Sequence, residues 1–167
     1  MFATPLRVMK LRSQQLPNAY AAGYGKVRNW NTALKEYTKV HQGWDLEATS
    51  GTPCYAIAAG IITHVGMHPQ FGKNVLLQFS KSGTVNQSTL DTLFAFYAHL
   101  SVASVQVGKI VAAGDQIGLT GHTGNASANA PHLHFEIRKT SAPSPGLGLV
   151  GRMDPGEVLG YDYLVSS

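Results

Sequence analysis

The stretch His132-Leu133-His134-Phe135-Glu136-Ile137 alternates polar and apolar residues without a break. Side chains of an extended strand point to opposite faces in turn, so both histidines and Glu136 share one face, and Leu133, Phe135 and Ile137 share the other. The segment therefore reads as a β-strand, running over 132–138, whose apolar face rests on a core. Two imidazoles at i and i+2 stand about 7 Å apart along the backbone, close enough to serve one site while only one binds a metal. The bland alternative is a solvated strand face that carries histidine by chance. Alternation alone does not choose between them.

Further β-rich runs precede this strand, at 54–59, 61–65, 74–79, 93–98 and 116–119, each bounded by glycine, proline or polar residues. Their number and spacing predict a mainly β protein built on an antiparallel sheet or sandwich. Three longer connections, 80–92, 121–131 and 140–151, are where such a scaffold would carry a groove for substrate. Residues 1–40 show no clean periodicity and are punctuated by Pro17, Gly23 and Gly25, so they read as an irregular lead-in with a helical turn over 32–37. The expected organisation is one domain over 1–167, with a lead-in (1–40), a catalytic core (41–138) and a C-terminal loop and tail (139–167).

Composition narrows the field. A chain of 167 residues buries a core without disulfide support, and its single cysteine, Cys54, excludes both an internal disulfide and a cysteine-based zinc knuckle. Flanked by Pro53, Tyr55 and Ala56, Cys54 reads as a small core residue. The net charge of +4 favours anionic polymers, but the lysines and arginines are scattered rather than clustered as a nucleic-acid surface requires. No apolar run approaches the roughly 20 residues of a membrane span, and residues 1–16 carry no apolar stretch of a cleavable leader.

Seven histidines demand a chemical reading. His41 and Asp45 would lie about 13 Å apart on a straight strand, so the chain must bend between them to bring both to one ion, and Gly43 is the permissive position. Imidazole and carboxylate are proper zinc ligands, and a His2Asp set completed by one strand histidine leaves the fourth tetrahedral position open, as catalytic zinc requires. His99 follows the run Phe94-Ala95-Phe96-Tyr97-Ala98 and is delivered to a strand end. His64 and His68 flank a turn and read as structural or solvated. His122 and Asn125 lie in the 121–131 connection and read as groove contacts, and Tyr37, four residues before His41, is a candidate hydroxyl for the transition state.

These motifs, with Gly51-Thr52-Pro53-Cys54-Tyr55-Ala56, Gly72-Lys73-Asn74-Val75, Tyr97-Ala98-His99-Leu100-Ser101, Val107-Gly108-Lys109, Gly114-Asp115-Gln116 and Thr120-Gly121-His122-Thr123-Gly124, stand in an order and spacing that resembles the lysostaphin-like, or LytM-like, zinc endopeptidases of peptidase family M23. The resemblance covers about 24–159. It implies the LytM-like β core with its duplicated hybrid motif, a Zn2+ ion on His41, Asp45 and His134, and His99 and His132 acting beside it on water and on the tetrahedral intermediate. It further implies peptidoglycan as substrate and action in the periplasm or extracellular cell wall; a monomer is expected, and the scattered basic residues predict no nucleic-acid partner. An immunity or regulatory partner is not readable. Departures are Ala130 in place of a usual glycine, His122 where a small residue is common, and Cys54 in place of an aliphatic residue. Two other readings compete: a catalytically silent module that binds wall peptides or regulates another hydrolase, and a biotinyl or lipoyl carrier, which 107–118 resembles in isolation.

Overall fold

The computed structural model describes residues 2–82, 91–146 and 148–162. In chain order, a 3-10 turn (Ala19–Ala22) leads into strands β1 (Gly25–Asn31), β2 (Glu36–His41), β3 (Trp44–Glu47), β4 (Pro53–Tyr55), β5 (Gly60–His68) and β6 (Gly72–Ser80). There follow β7 (Thr92–Leu100), β8 (Val102–Ala103), β9 (Ile110–Val111), β10 (Gln116–Leu119), β11 (His132–Arg138), β12 (Arg152–Met153) and a single helical turn, α1 (Gly156–Leu159). The mainly β, antiparallel expectation holds. A seven-stranded sheet runs β12-β11-β7-β6-β5-β9 with β3 also paired to β11, a three-stranded sheet runs β4-β10-β8, and β1 and β2 form a separate hairpin.

Alternation builds the two sides of the large sheet. Val75, Leu77, Ala95, Tyr97, Leu133, Phe135 and Ile137 turn to one side and join Cys54 and Ile117 of the small sheet in the main core. Leu76, Phe94, Phe96 and Ala98 turn to the other side and form a smaller cluster with Phe71. Cys54 is fully buried, and burial pushes its thiol up to about 12, which makes it an inert core residue.

Two sequence expectations fail here. Residues 32–37 are not helical: they are the turn and first residues of the β1/β2 hairpin, in which Trp30 pairs with Tyr37 and Gly25 with His41. Nor are residues 1–40 simply irregular, because β1 and most of β2 lie within them. The 80–92 connection, expected as a groove wall, lies largely outside the described residues, and its ends are the paired Ser80 and Thr92.

Candidate metal centre and active site

Three strands deliver the candidate metal ligands. On β11 the face opposite the main core carries His132, His134, Glu136 and Arg138. On β3, Trp44 and Leu46 enter the core while Asp45 lies directly across from His134. Paired residues of an antiparallel ladder have neighbouring side chains on the same face, so this register alone brings the carboxylate to the imidazole. His41 ends β2, and the chain turns at Gln42 and Gly43 to enter β3. Gly43 is required for close approach rather than for an unusual φ, since a Cβ there would collide with the Phe135 carbonyl.

His99 arrives by a different device. Along β7, residues 93, 95 and 97 face the main core, and position 99 would follow them. Instead Lys73 pairs with Leu100 and Val75 with Tyr97, so Ala98 and His99 together oppose Asn74 as a bulge. His99 sits at φ 59, its amide donates to the Phe71 carbonyl at 2.8 Å, and Leu100 takes the core position instead. The extra residue turns His99 out of the core face and into the cleft, a common use of bulges beside functional sites.

The side chains converge tightly. His41 Nε2 lies 3.2 Å from His134 Nδ1 and 3.1 Å from Asp45 Oδ1, and His134 Nδ1 lies 2.8 Å from Asp45 Oδ1. A tetrahedral zinc ion at about 2.0–2.2 Å from its ligands separates them by about 3.3 Å, so these three atoms fit such an ion with small adjustments. His41, Asp45 and His134 are all buried and form a group suited to a metal. Beside them stand His99 and His132, with ring centres 4.8 Å apart. Their Nδ1 atoms lie 2.7 Å from the Thr123 carbonyl and 2.9 Å from the Ala130 carbonyl. A carbonyl only accepts, so each Nδ1 carries the proton and each Nε2 keeps a free lone pair.

Electrostatics agree with a neutral imidazole at His99 and at His132. Burial, helped by the neighbouring histidines, lowers His99 to about 3; burial lowers His132 to about 4 against the pull of Asp45. Burial also lowers His41. Burial alone would raise Asp45, but His41 and the hydrogen bonds from His134 and His41 outweigh it and hold the carboxyl well below its usual range. His134 moves up: burial opposes this, yet its bonds to Asp45 and Glu136 prevail.

Behind the site runs a buried set of supports. His41 Nδ1 donates to the Gly23 carbonyl at 2.8 Å, and His134 Nε2 donates to Glu136 Oε1 at 2.9 Å. Glu136 Oε2 accepts from Arg138 Nε at 2.6 Å and Arg152 Nε at 2.8 Å, and the Arg138 guanidinium lies 3.5 Å over the Phe96 ring. Asp45 Oδ2 accepts from Arg12 and Arg28. Among these, sequence reasoning placed Glu136 on the right face without a role and missed Arg12, Arg28, Arg138 and Arg152. Only the strand alternation extended to Arg138 signalled any of them.

A cleft of about 250 Å3 lies over the three candidate ligands and is also lined by His99, His132 and Asn125. His122 lies outside that lining, exposed, with its Nδ1 3.2 Å from Ser50 Oγ. Tyr37 is on the hairpin, packed between Tyr20 and Trp30 at 5.4 and 5.1 Å. His68 Nδ1 accepts from the Gln70 and Phe71 amides and so braces the turn before β6.

The comparisons with known proteins point one way. The chain is 34% identical over 97 residues to the peptidoglycan DD-endopeptidase ShyA of Vibrio cholerae, a match covering 58% of this chain and 20% of that protein. Its fold superposes on the catalytic domain of the antimicrobial peptidase lysostaphin from Staphylococcus simulans with a TM-score of 0.60 and 28% identity, covering 83% of this chain and 90% of that one. A zinc-containing peptidase from Vibrio cholerae superposes with a TM-score of 0.55 and 26% identity over 76% of this chain and 36% of that one. The chain spans about a fifth of the length of the curated relatives it matches. Finally, the sequence model of peptidase family M23 matches residues 39–145, a stretch that contains His41, Asp45, His99, His132 and His134, and the chain belongs to that family.

Proposed function

We propose that this domain is a zinc-dependent endopeptidase that hydrolyses peptide bonds in peptidoglycan, in cross-links or stem peptides, acting as a monomer in the periplasm or extracellular cell wall. The observation that carries the reading is the meeting of His41 Nε2, Asp45 Oδ1 and His134 Nδ1 in one cleft, with His99 and His132 turned towards the same space. His41, Asp45 and His134 would hold the metal. Zinc bound there would polarise a carbonyl and acidify a water towards neutral pH. The chain's own residues then do the rest. His99 and His132, each with Nδ1–H tied to a carbonyl, present Nε2 lone pairs that accept and return a proton. Once protonated, either imidazole donates to the oxygen on which charge develops. Asn125 at the cleft wall is an amide available to an extended substrate backbone.

The deciding experiment digests two purified sacculi of different cross-link chemistry with the zinc-loaded protein. New amino groups without new reducing sugar ends are expected, and fragment masses identify the bond. Reducing ends would make the protein a glycosidase, and intact stem peptides released from the lactyl group would make it an amidase. No release from either sacculus by protein with bound zinc would leave the silent binding module as the function.

A further inference from the structure

We infer that Arg12 and Arg28 are positioning residues that clamp Asp45 by its outer oxygen, so that a metal site made from the family's matched stretch is completed by two side chains that precede it. The inference rests on the proposed metal centre. Residues 39–145 contain all three candidate ligands, whereas Arg12 and Arg28 lie 33 and 17 residues before Asp45.

Three N–H donors meet on one atom. Arg12 Nε and Nη2 lie 3.2 and 3.0 Å from Asp45 Oδ2, and Arg28 Nη2 lies 2.8 Å from the same oxygen. Both guanidiniums are themselves anchored: Arg12 Nη1 donates to the Gln14 carbonyl at 2.8 Å, and Arg28 Nε donates to the Ala21 carbonyl at 2.8 Å. The main chain holds the same register. The Arg12 amide donates to the Asp45 carbonyl at 2.9 Å, the Glu47 amide donates to the Lys10 carbonyl at 2.8 Å, and Leu11 bridges Leu46.

A carboxylate oxygen has two lone pairs, and charge-assisted donors compete strongly for them. Three donors leave Oδ2 no capacity for a metal, while Oδ1 remains turned to His41 and His134. The clamp therefore selects one oxygen of Asp45 as the ligand. It also lets an acid side chain that is only 3% exposed stay ionised and fixed before any metal arrives. Both effects favour metal binding: the ligand is preorganised, and its denticity is set. Outer partners of this kind are worth about 10–100-fold in metal affinity.

The two arginines differ in a way that makes the clamp testable. Arg28 gives Oδ2 a single donor, whereas Arg12 gives it a two-pronged fork and a third bond to Gln14. A lysine can replace the first and not the second. Zinc affinity is measured by chelator competition, and the visible absorption of the cobalt-substituted protein reports coordination number. Arg28→Met keeps the aliphatic stem of a side chain already 25% exposed, so folding is expected to survive. It should weaken zinc binding about 10-fold or more and lower the cobalt absorption as Asp45 swings to offer both oxygens. Arg28→Lys should restore most of both signals. Arg12→Lys should restore little relative to Arg12→Met.

Unchanged zinc affinity and cobalt absorption in Arg28→Met and Arg12→Met, with metal lost from His41→Ala, would overturn the clamp and leave the arginines as ties that merely fasten the lead-in. Full metal retention in His41→Ala and Asp45→Ala would overturn the metal centre itself. If Arg12→Met fails to fold, the Arg28→Met and Arg28→Lys pair still decides the matter.

Discussion

The two faces of β11 are both buried, yet opposite chemistries bury them. On one face Leu133, Phe135 and Ile137 are each fully enclosed in the main core. On the other, His132, His134, Glu136 and Arg138 are 0–4% exposed and are held by hydrogen bonds and ion pairs. The apolar face gains stability from surface removed from water, roughly 25 cal/mol per Å2, without directional demands. The polar face must satisfy every charge in place, because an orphaned one costs several kcal/mol. One face fixes where the strand lies; the other fixes where individual atoms point.

The largest contrast should come from neighbours on opposite faces. His134→Ala is expected to reduce zinc from about one ion per chain to nearly none, while Phe135→Ala should cost about 3–5 kcal/mol of stability and, where folded, keep its metal. Metal analysis beside thermal melts reads both, and a His134→Ala protein with full zinc would break the contrast. Next in size, His132→Ala and His99→Ala should retain zinc and melting temperature but lose about 100-fold or more in turnover on peptidoglycan. Loss of zinc from His132→Ala with retention in His134→Ala would mean that the two strand histidines exchange roles.

Acid should separate the faces more gently. Glu136 is lowered: burial alone would raise it, but its bond and charge contact with His134, and then Arg138, prevail. A carboxyl depressed in the folded state adds stability above its unfolded value of about 4.3, and that stability is lost as pH falls through the folded value. The stability of the metal-free protein, measured by unfolding at a series of pH values, should therefore fall below about pH 4, by up to about 1.4 kcal/mol per pH unit for each proton taken up. Glu136→Gln should flatten that slope, and an unchanged slope would show that other carboxylates carry the acid response. The smallest effect belongs to the apolar face: Leu133→Met, a volume-conserving swap, should cost less than about 1.5 kcal/mol and leave zinc content as it was.

Legibility in the sequence follows the same division. β11 was readable to the residue because strict alternation records which side chains face a core. The β1/β2 hairpin was not, since it stands off the core: Val27 is its buried apolar residue, while Trp30 is 54% exposed, so alternation had little to record. His41, Asp45, His99, His132 and His134 were nameable as candidates from residue type, spacing and family motifs. The bulge that aims His99 was not, because a single extra residue leaves no periodic trace until its partner strand is known. Arg12 and Arg28 were invisible for a simpler reason. A lone arginine carries no pattern, and its target lies on another element.

The lead-in also protects an edge. β3 pairs with β11 along one side, and residues 10–12 cover its other side through the Leu11 bridge and the bonds of Arg12 and Lys10. An uncovered strand edge presents free N–H and C=O groups to any extended segment that drifts by. Trimming the chain to the stretch that carries the family motifs would therefore leave β3 open to a second molecule, and a shortened protein should self-associate before its chemistry is ever put to use.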